Sequence, residues 1–69
     1  MSVAKRIKLY LVENGIQQKR IAAATGIGEE KLSQSLNGKR KLETEEFAKI
    51  VNVLNVSADT FIRPGARDG

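Results

Sequence analysis

Neither cysteine nor histidine occurs among the 69 residues. Their absence excludes disulfides, thiolate zinc sites, cysteine nucleophiles and every imidazole-based acid–base mechanism. Catalysis would have to run on carboxylates, Lys, Tyr or Ser, and Ser33 and Ser35 have no base partner to activate them. The chain is therefore not expected to be an enzyme, and no cofactor, metal or small-molecule motif stands out. Long apolar runs are also lacking. The longest, Leu9–Val12 and Ile21–Ala24, stop at four residues, whereas a membrane span needs about 20. Lys5, Arg6 and Lys8 are not followed by the apolar stretch of an export signal. These absences together lead us to expect a cytoplasmic protein. The single proline is Pro64, so no proline interrupts a helix before the last few residues.

What is present is apolar and charged in ordinary proportion, 41% and 29% of residues, enough for a folded core and too apolar for general disorder. A chain this short buries only about 60% of its unfolded surface, which leaves no room for a deep catalytic cavity. One small domain is expected. Twelve basic residues against eight acidic ones give a net charge of +4 and a pI near 9.8. The excess is uneven. Residues 1–41 carry nine basic groups and three acidic ones, net +6, whereas residues 42–69 carry three and five, net −2. Such an asymmetry suits a polyanionic partner on one side of the molecule, or it is simply a solvated surface.

The apolar pattern is helical throughout. Val3, Ile7, Tyr10 and Leu11 recur with the spacing of one helix face, with Ser2 as N-cap and Gly15 as the stop. A second, alanine-rich helix runs from Gln17 to about Thr25 and is anchored by Ile21. A third spans about Gly28 to Asn37, with Leu32 and Leu36 four residues apart and Gly38 beyond its end. The fourth is capped by Glu43 or Thr44 and turns Phe47, Ile50, Val51 and Leu54 to one side, with Phe47, Ile50 and Val51 expected in the core and Asn55 as a left-handed exit. Ser57 caps a short fifth helix ending near Phe61. No stretch alternates with period two, so the expected fold is all-α: a compact domain over residues 1–63 and a flexible tail over 64–69. Lys5, Arg6 and Lys8 read first as surface charges of the first helix and, as the alternative, as an arm that contacts DNA.

The segment from Gln17 to Asn37 is the informative one. Thr25-Gly26-Ile27-Gly28 joins two short helices tightly, and Gly26 is the natural position for a positive φ. Ala22 and Ala23 are small enough to let the helices cross closely, and Ile21, Ile27, Leu32 and Leu36 pin them from inside. Such a unit holds its second helix out toward a DNA major groove.

The order Gly15-Ile16-Gln17-Gln18-Lys19-Arg20-Ile21-Ala22, Gly26-Ile27, Leu32-Ser33-Gln34-Ser35-Leu36-Asn37-Gly38-Lys39-Arg40 and Leu54-Asn55-Val56-Ser57 resembles the phage repressor/Cro-type helix-turn-helix family. The likeness covers about residues 5–61. It implies a five-helix repressor-like domain, with helices two and three forming the motif, in a bacterial or phage-encoded regulator that binds double-stranded DNA. By the same likeness, Gln18, Asn37, Lys39 and Arg40 take phosphate-binding positions. Glu29, Glu30, Ser33 and Gln34 take positions that reach base edges, and helical geometry adds Lys31 to that arc. Members of the family usually bind pseudopalindromic operators as homodimers, and residues 56–63 are the expected dimer surface.

Two features depart from the family pattern. Glu29 and Glu30 put carboxylates where neutral or basic groups are usual. They can accept from cytosine N4, or they serve only the helix dipole. Leu11 and Leu36 stand where many members pair an Arg with a Glu, so an apolar contact replaces an ion pair. The acids also keep a different class of function open: a protein-interaction, adaptor or antirepressor module on the same fold, with weak DNA binding.

Overall fold

The computed structural model describes residues 2–62. The five helices expected from the sequence are all present there: α1 Val3–Glu13, α2 Gln18–Thr25, α3 Glu29–Leu36, α4 Thr44–Leu54 and α5 Asp59–Ile62. Among the described residues there is no strand. The expected tail, 64–69, lies outside the described residues. Among the described residues, no helix is long and apolar enough to cross a membrane.

Local chemistry explains where each helix begins and ends. Ser2 Oγ accepts the Lys5 amide at 3.1 Å and opens α1. Its far end closes when the amides of Gly15 and Ile16 turn back to the carbonyls of Val12 and Leu11, the paired bonds of a Schellman motif. The third helix is a residue shorter at each end than expected, because Gly28 and Asn37 are its flanking caps. Glu43, rather than Thr44, caps α4. Its amide donates to Glu46 Oε1 at 2.9 Å, the return half of a capping box. Asn55 leaves α4 with φ 59°, as its type permits.

One core unites the helices. It is built from Ile7 and Leu11 of α1, Ile21 and Ala22 of α2, Ile27 of the turn, Leu32 and Leu36 of α3, Ile50 of α4 and Phe61 of α5. Helix α3 packs on α1 and α2, α4 packs on α2, and α5 packs on α1. Phe47 and Val51, expected inside, are only partly buried and lean on this cluster. Phe61 instead sits at its centre between two edge-on rings, Tyr10 at 5.5 Å and Phe47 at 6.4 Å between centroids. Edge-to-face pairs of this kind add to the area they bury, and here they fasten the C-terminal helix to the first and fourth.

Of the two small residues expected at the crossing, only one lies on the packed face of α2. Ala22 is buried at the packed face, whereas Ala23 is exposed. Gly26 leaves α2 with φ 80°, and an added Cβ would meet nothing within 4 Å. Backbone conformation, not space, therefore selects glycine at this point. Thr25 completes the turn from within: its buried hydroxyl donates to the Ile21 carbonyl at 2.8 Å and accepts the Ile27 amide at 3.3 Å. The Ile27 amide thus finds a partner inside the turn, as a buried backbone donor requires.

Candidate nucleic-acid interface

With Leu32, Ser35 and Leu36 buried, α3 turns its remaining residues outward. Glu29, Glu30, Lys31 and Gln34 are exposed, and Ser33 is half-buried at the margin. The arc expected to reach base edges is thus one open surface. It opens on two acids in the first turn, where the positive end of the helix favours them. Lys31 lies toward α4, close enough that its charge helps keep Glu46 ionised.

Gln18, the first residue of α2, is half-buried. It lines a cleft of about 490 Å³ with Lys8, Lys19 and Glu29, where the end of α1 meets the starts of α2 and α3. At the other end of α3, the Asn37 amide is held on both sides. Its Nδ2 donates to the Ser33 carbonyl at 2.8 Å, and its Oδ1 accepts from Lys8 Nζ. Gly38, at φ 78°, reverses the chain there, and the amide of Lys39 returns to the Gln34 carbonyl at 2.8 Å. Lys39 is left exposed on a loop whose backbone is fixed.

Arg40, expected at a phosphate, has partners within the protein itself. Its guanidinium faces Glu46 with two parallel bonds, Nη1 to Oε1 at 3.0 Å and Nη2 to Oε2 at 2.9 Å. Nη1 also donates to Ser35 Oγ at 2.8 Å. Three hydrogen bonds thus tie this side chain to the protein's own residues, in the bidentate form that makes Arg–carboxylate pairs specific. It fastens the loop after α3 to the first turn of α4. The bonds from Arg40, followed by the one from the Glu43 amide, hold the Glu46 carboxyl below the usual carboxylate range against partial burial. The same partner raises the Arg40 guanidinium.

The sequence reading missed three members of this region. Ser35 carried a recoverable signal, because it lies on the same helical arc as Leu32 and Leu36. Glu46 was visible only as a first-turn acid, and nothing local points it at Arg40. Lys8 is 29 positions from Asn37, and no periodicity joins them.

Glu46 carries a testable consequence. Its lowered folded-state pKa contributes stability that is fully present above the ordinary carboxylate pKa, about 4.3. That contribution is lost as pH falls through the still lower folded value. Glu46→Gln is therefore expected to lower the melting temperature by a few degrees at pH 7. It should also make the decline of Tm below about pH 4 shallower. A variant melting curve parallel to the parent's over the whole acid range would contradict the assignment.

A short helix, a tight left-handed turn and a second helix presenting an open polar arc define a helix-turn-helix unit, a fold that binds double-stranded DNA. The sequence model of the helix-turn-helix domain family matches residues 4–63. The chain belongs to that family, which is consistent with the resemblance to repressor/Cro-type domains. No curated protein and no solved structure gives a significant match.

Proposed function

We propose that this domain is a sequence-specific transcriptional regulator, most simply a repressor, that places α3 in the DNA major groove. The observation that carries the reading is the bracketing of the exposed arc of α3. Gln18 and Lys19 stand at one end of it, and Asn37 and Lys39 at the other. Amide and ammonium groups in those places suit phosphate oxygens and set register, while the arc between them addresses base edges.

Within the arc, Gln34 offers adenine a paired donor and acceptor, and Glu30 and Glu29 accept from cytosine N4. Lys31 and Ser33 contribute at its margins. Arg40 acts in this reading through position, by holding the loop that presents Lys39 rather than by reaching a phosphate itself. The domain assigned to this function is residues 1–63, of which 2–62 are described. A single such unit makes few contacts, so a twofold dimer on half-sites about one helical turn apart is the operating form. The exposed Ile62, with Val53 at the end of α4, favours the C-terminal side, residues 56–63, as the dimer surface.

Salt titration of duplex binding tests the proposal. The logarithm of the binding constant is expected to fall steeply with log salt, with a slope reporting about three or more released counterions per subunit. Lys39→Ala should weaken binding to all duplexes alike and reduce that slope by about one. A flat response, or no retardation of any duplex, would instead support the protein-interaction module, for which Glu29 and Glu30 are the motivating residues.

A further inference from the structure

We infer that Lys8, on α1, is a DNA phosphate ligand that joins the grips at the two ends of α3, with Asn37 as its positioning residue. The inference rests on the DNA-binding reading above and adds a contact from a helix outside the helix-turn-helix pair.

Two clefts flank the exposed arc of α3. One, about 490 Å³, contains Gln18, Lys19 and Glu29. The other, about 350 Å³, lies between the start of α1 and the exit of α3 and contains Ser2, Lys5, Asn37 and Gly38. Lys8 is the residue common to both. A lysine ammonium has three N–H donors. One of them goes to Asn37 Oδ1, and two remain for an anion entering from either side.

Asn37 is suited to hold this ammonium. Its Nδ2 is engaged by the Ser33 carbonyl at 2.8 Å and approaches Ser33 Oγ at 3.4 Å, so the carbonyl end of the amide faces α1. A flexible four-carbon side chain is thereby fixed at a defined place before any ligand arrives, which reduces the entropy lost on binding. Charge supports the same assignment. Glu29 lies on the wall of the larger cleft, and its carboxylate repels a phosphate there. Lys8 and Lys19 on the same wall oppose that repulsion. Lys5, three residues before Lys8 on α1, extends the positive edge into the smaller cleft. The ligand that fits several cations shared between two adjoining clefts is the double-stranded DNA backbone, whose phosphates repeat at regular spacing.

The rival role for Lys8 is mechanical, a strut that fastens α1 to the end of α3. Counterion release separates the two, because only a group that neutralises a phosphate changes the salt slope. Lys8→Met keeps the aliphatic stem and removes the charge. Binding of the full chain to a mixed-sequence DNA duplex would be measured across a salt series for the parent, Lys8→Met and Lys8→Arg. The Met variant is expected to lose about one unit of slope and to weaken on every duplex by the same factor. The Arg variant is expected to keep the parent slope. An unchanged slope in Lys8→Met, with or without a lower affinity or Tm, would overturn the inference and leave Lys8 as a strut. If the parent itself retards no duplex, the DNA-binding reading fails, and this inference fails with it. If the parent binds steeply while Lys8→Met matches its slope, only the inference about Lys8 fails.

Discussion

Leu36→Glu is expected to unfold most of the domain at 25 °C, or to lower its Tm by about 15–30 °C. Leu36 is 2% exposed and Leu11 is 1% exposed, and both belong to the single core that α1 and α3 share. The substitution forfeits the burial of a leucine, about 2–3 kcal/mol. It also places a carboxyl in an apolar site, where the group either protonates or costs several kcal/mol more. A domain of this size has only about 3–9 kcal/mol of total stability. At about 4–8 °C per kcal/mol, even the low end of the combined cost is a large shift. Thermal denaturation followed by circular dichroism checks it, and an unchanged melt would refute it. The double variant Leu11→Arg, Leu36→Glu rebuilds the ion pair that many repressor/Cro-type proteins carry. It is expected to recover part of the loss, but not all, because desolvating two charges offsets their attraction. A double variant no more stable than Leu36→Glu alone would mean that the two side chains do not oppose each other.

The apolar pair at 11 and 36 also bears on how the recognition helix is held. Where an ion pair would tie α1 to α3, this chain uses core packing. Polar fastenings sit at the rim, Lys8 on Asn37 at one margin and Arg40 on Ser35 and Glu46 at the other. Both fastenings end at α3 or at the loop after it. The helix expected to meet DNA is therefore fixed along its buried face by apolar residues and at its C-terminal end by polar ones. Its N-terminal turn, Glu29 and Glu30, is exposed.

The helices were legible in the sequence because their ends are set by neighbours in the chain. Ser2 caps α1 through an amide three residues away. Gly26 and Asn55 end α2 and α4 by taking positive φ themselves. The inward stripe of each helix follows from 3.6-residue spacing, so Ile7 and Leu11, Leu32 and Leu36, and Ile50 were identifiable as core. Phe47 was placed too deep, because its spacing identifies a face and not how far that face is covered. Ala23 shows the same limit: its size suited a close crossing, but its angular position on α2 directs it to solvent. At the candidate interface, the open arc of α3 was legible and the destination of long side chains was not. Arg40 stands beside Lys39 in the chain and carries the same charge. The angle between the loop and α4 nevertheless brings it within 2.9 Å of Glu46, while Lys39 faces outward. Long flexible cations choose partners by tertiary geometry, which local sequence does not encode.

Gln34 is the residue whose loss is expected to cost the most specificity. It is exposed in the middle of the α3 arc, between the acids of the first turn and the Asn37 cap. Its backbone carbonyl accepts the Lys39 amide at 2.8 Å, so the main chain that carries it is fixed while the side chain is free to reach a base. A primary amide matches the N6 donor and N7 acceptor of adenine with two bonds. Gln34→Ala is expected to cost about 1–3 kcal/mol on the preferred duplex, about 5- to 150-fold in affinity, confined to one base position. Alanine is a strong helix former and the site is exposed, so Tm should not fall. No ion is exchanged at a base edge, so the salt slope should match the parent's. These two readouts distinguish base reading from a structural or phosphate role. The measurement is a selection from random duplexes at moderate salt, followed by titration of the preferred duplex and its single-base variants. Parent and variant should differ at one position of each half-site. An equal loss on preferred and random DNA would refute the reading role of Gln34 and transfer discrimination to Glu29, Glu30, Lys31 and Ser33.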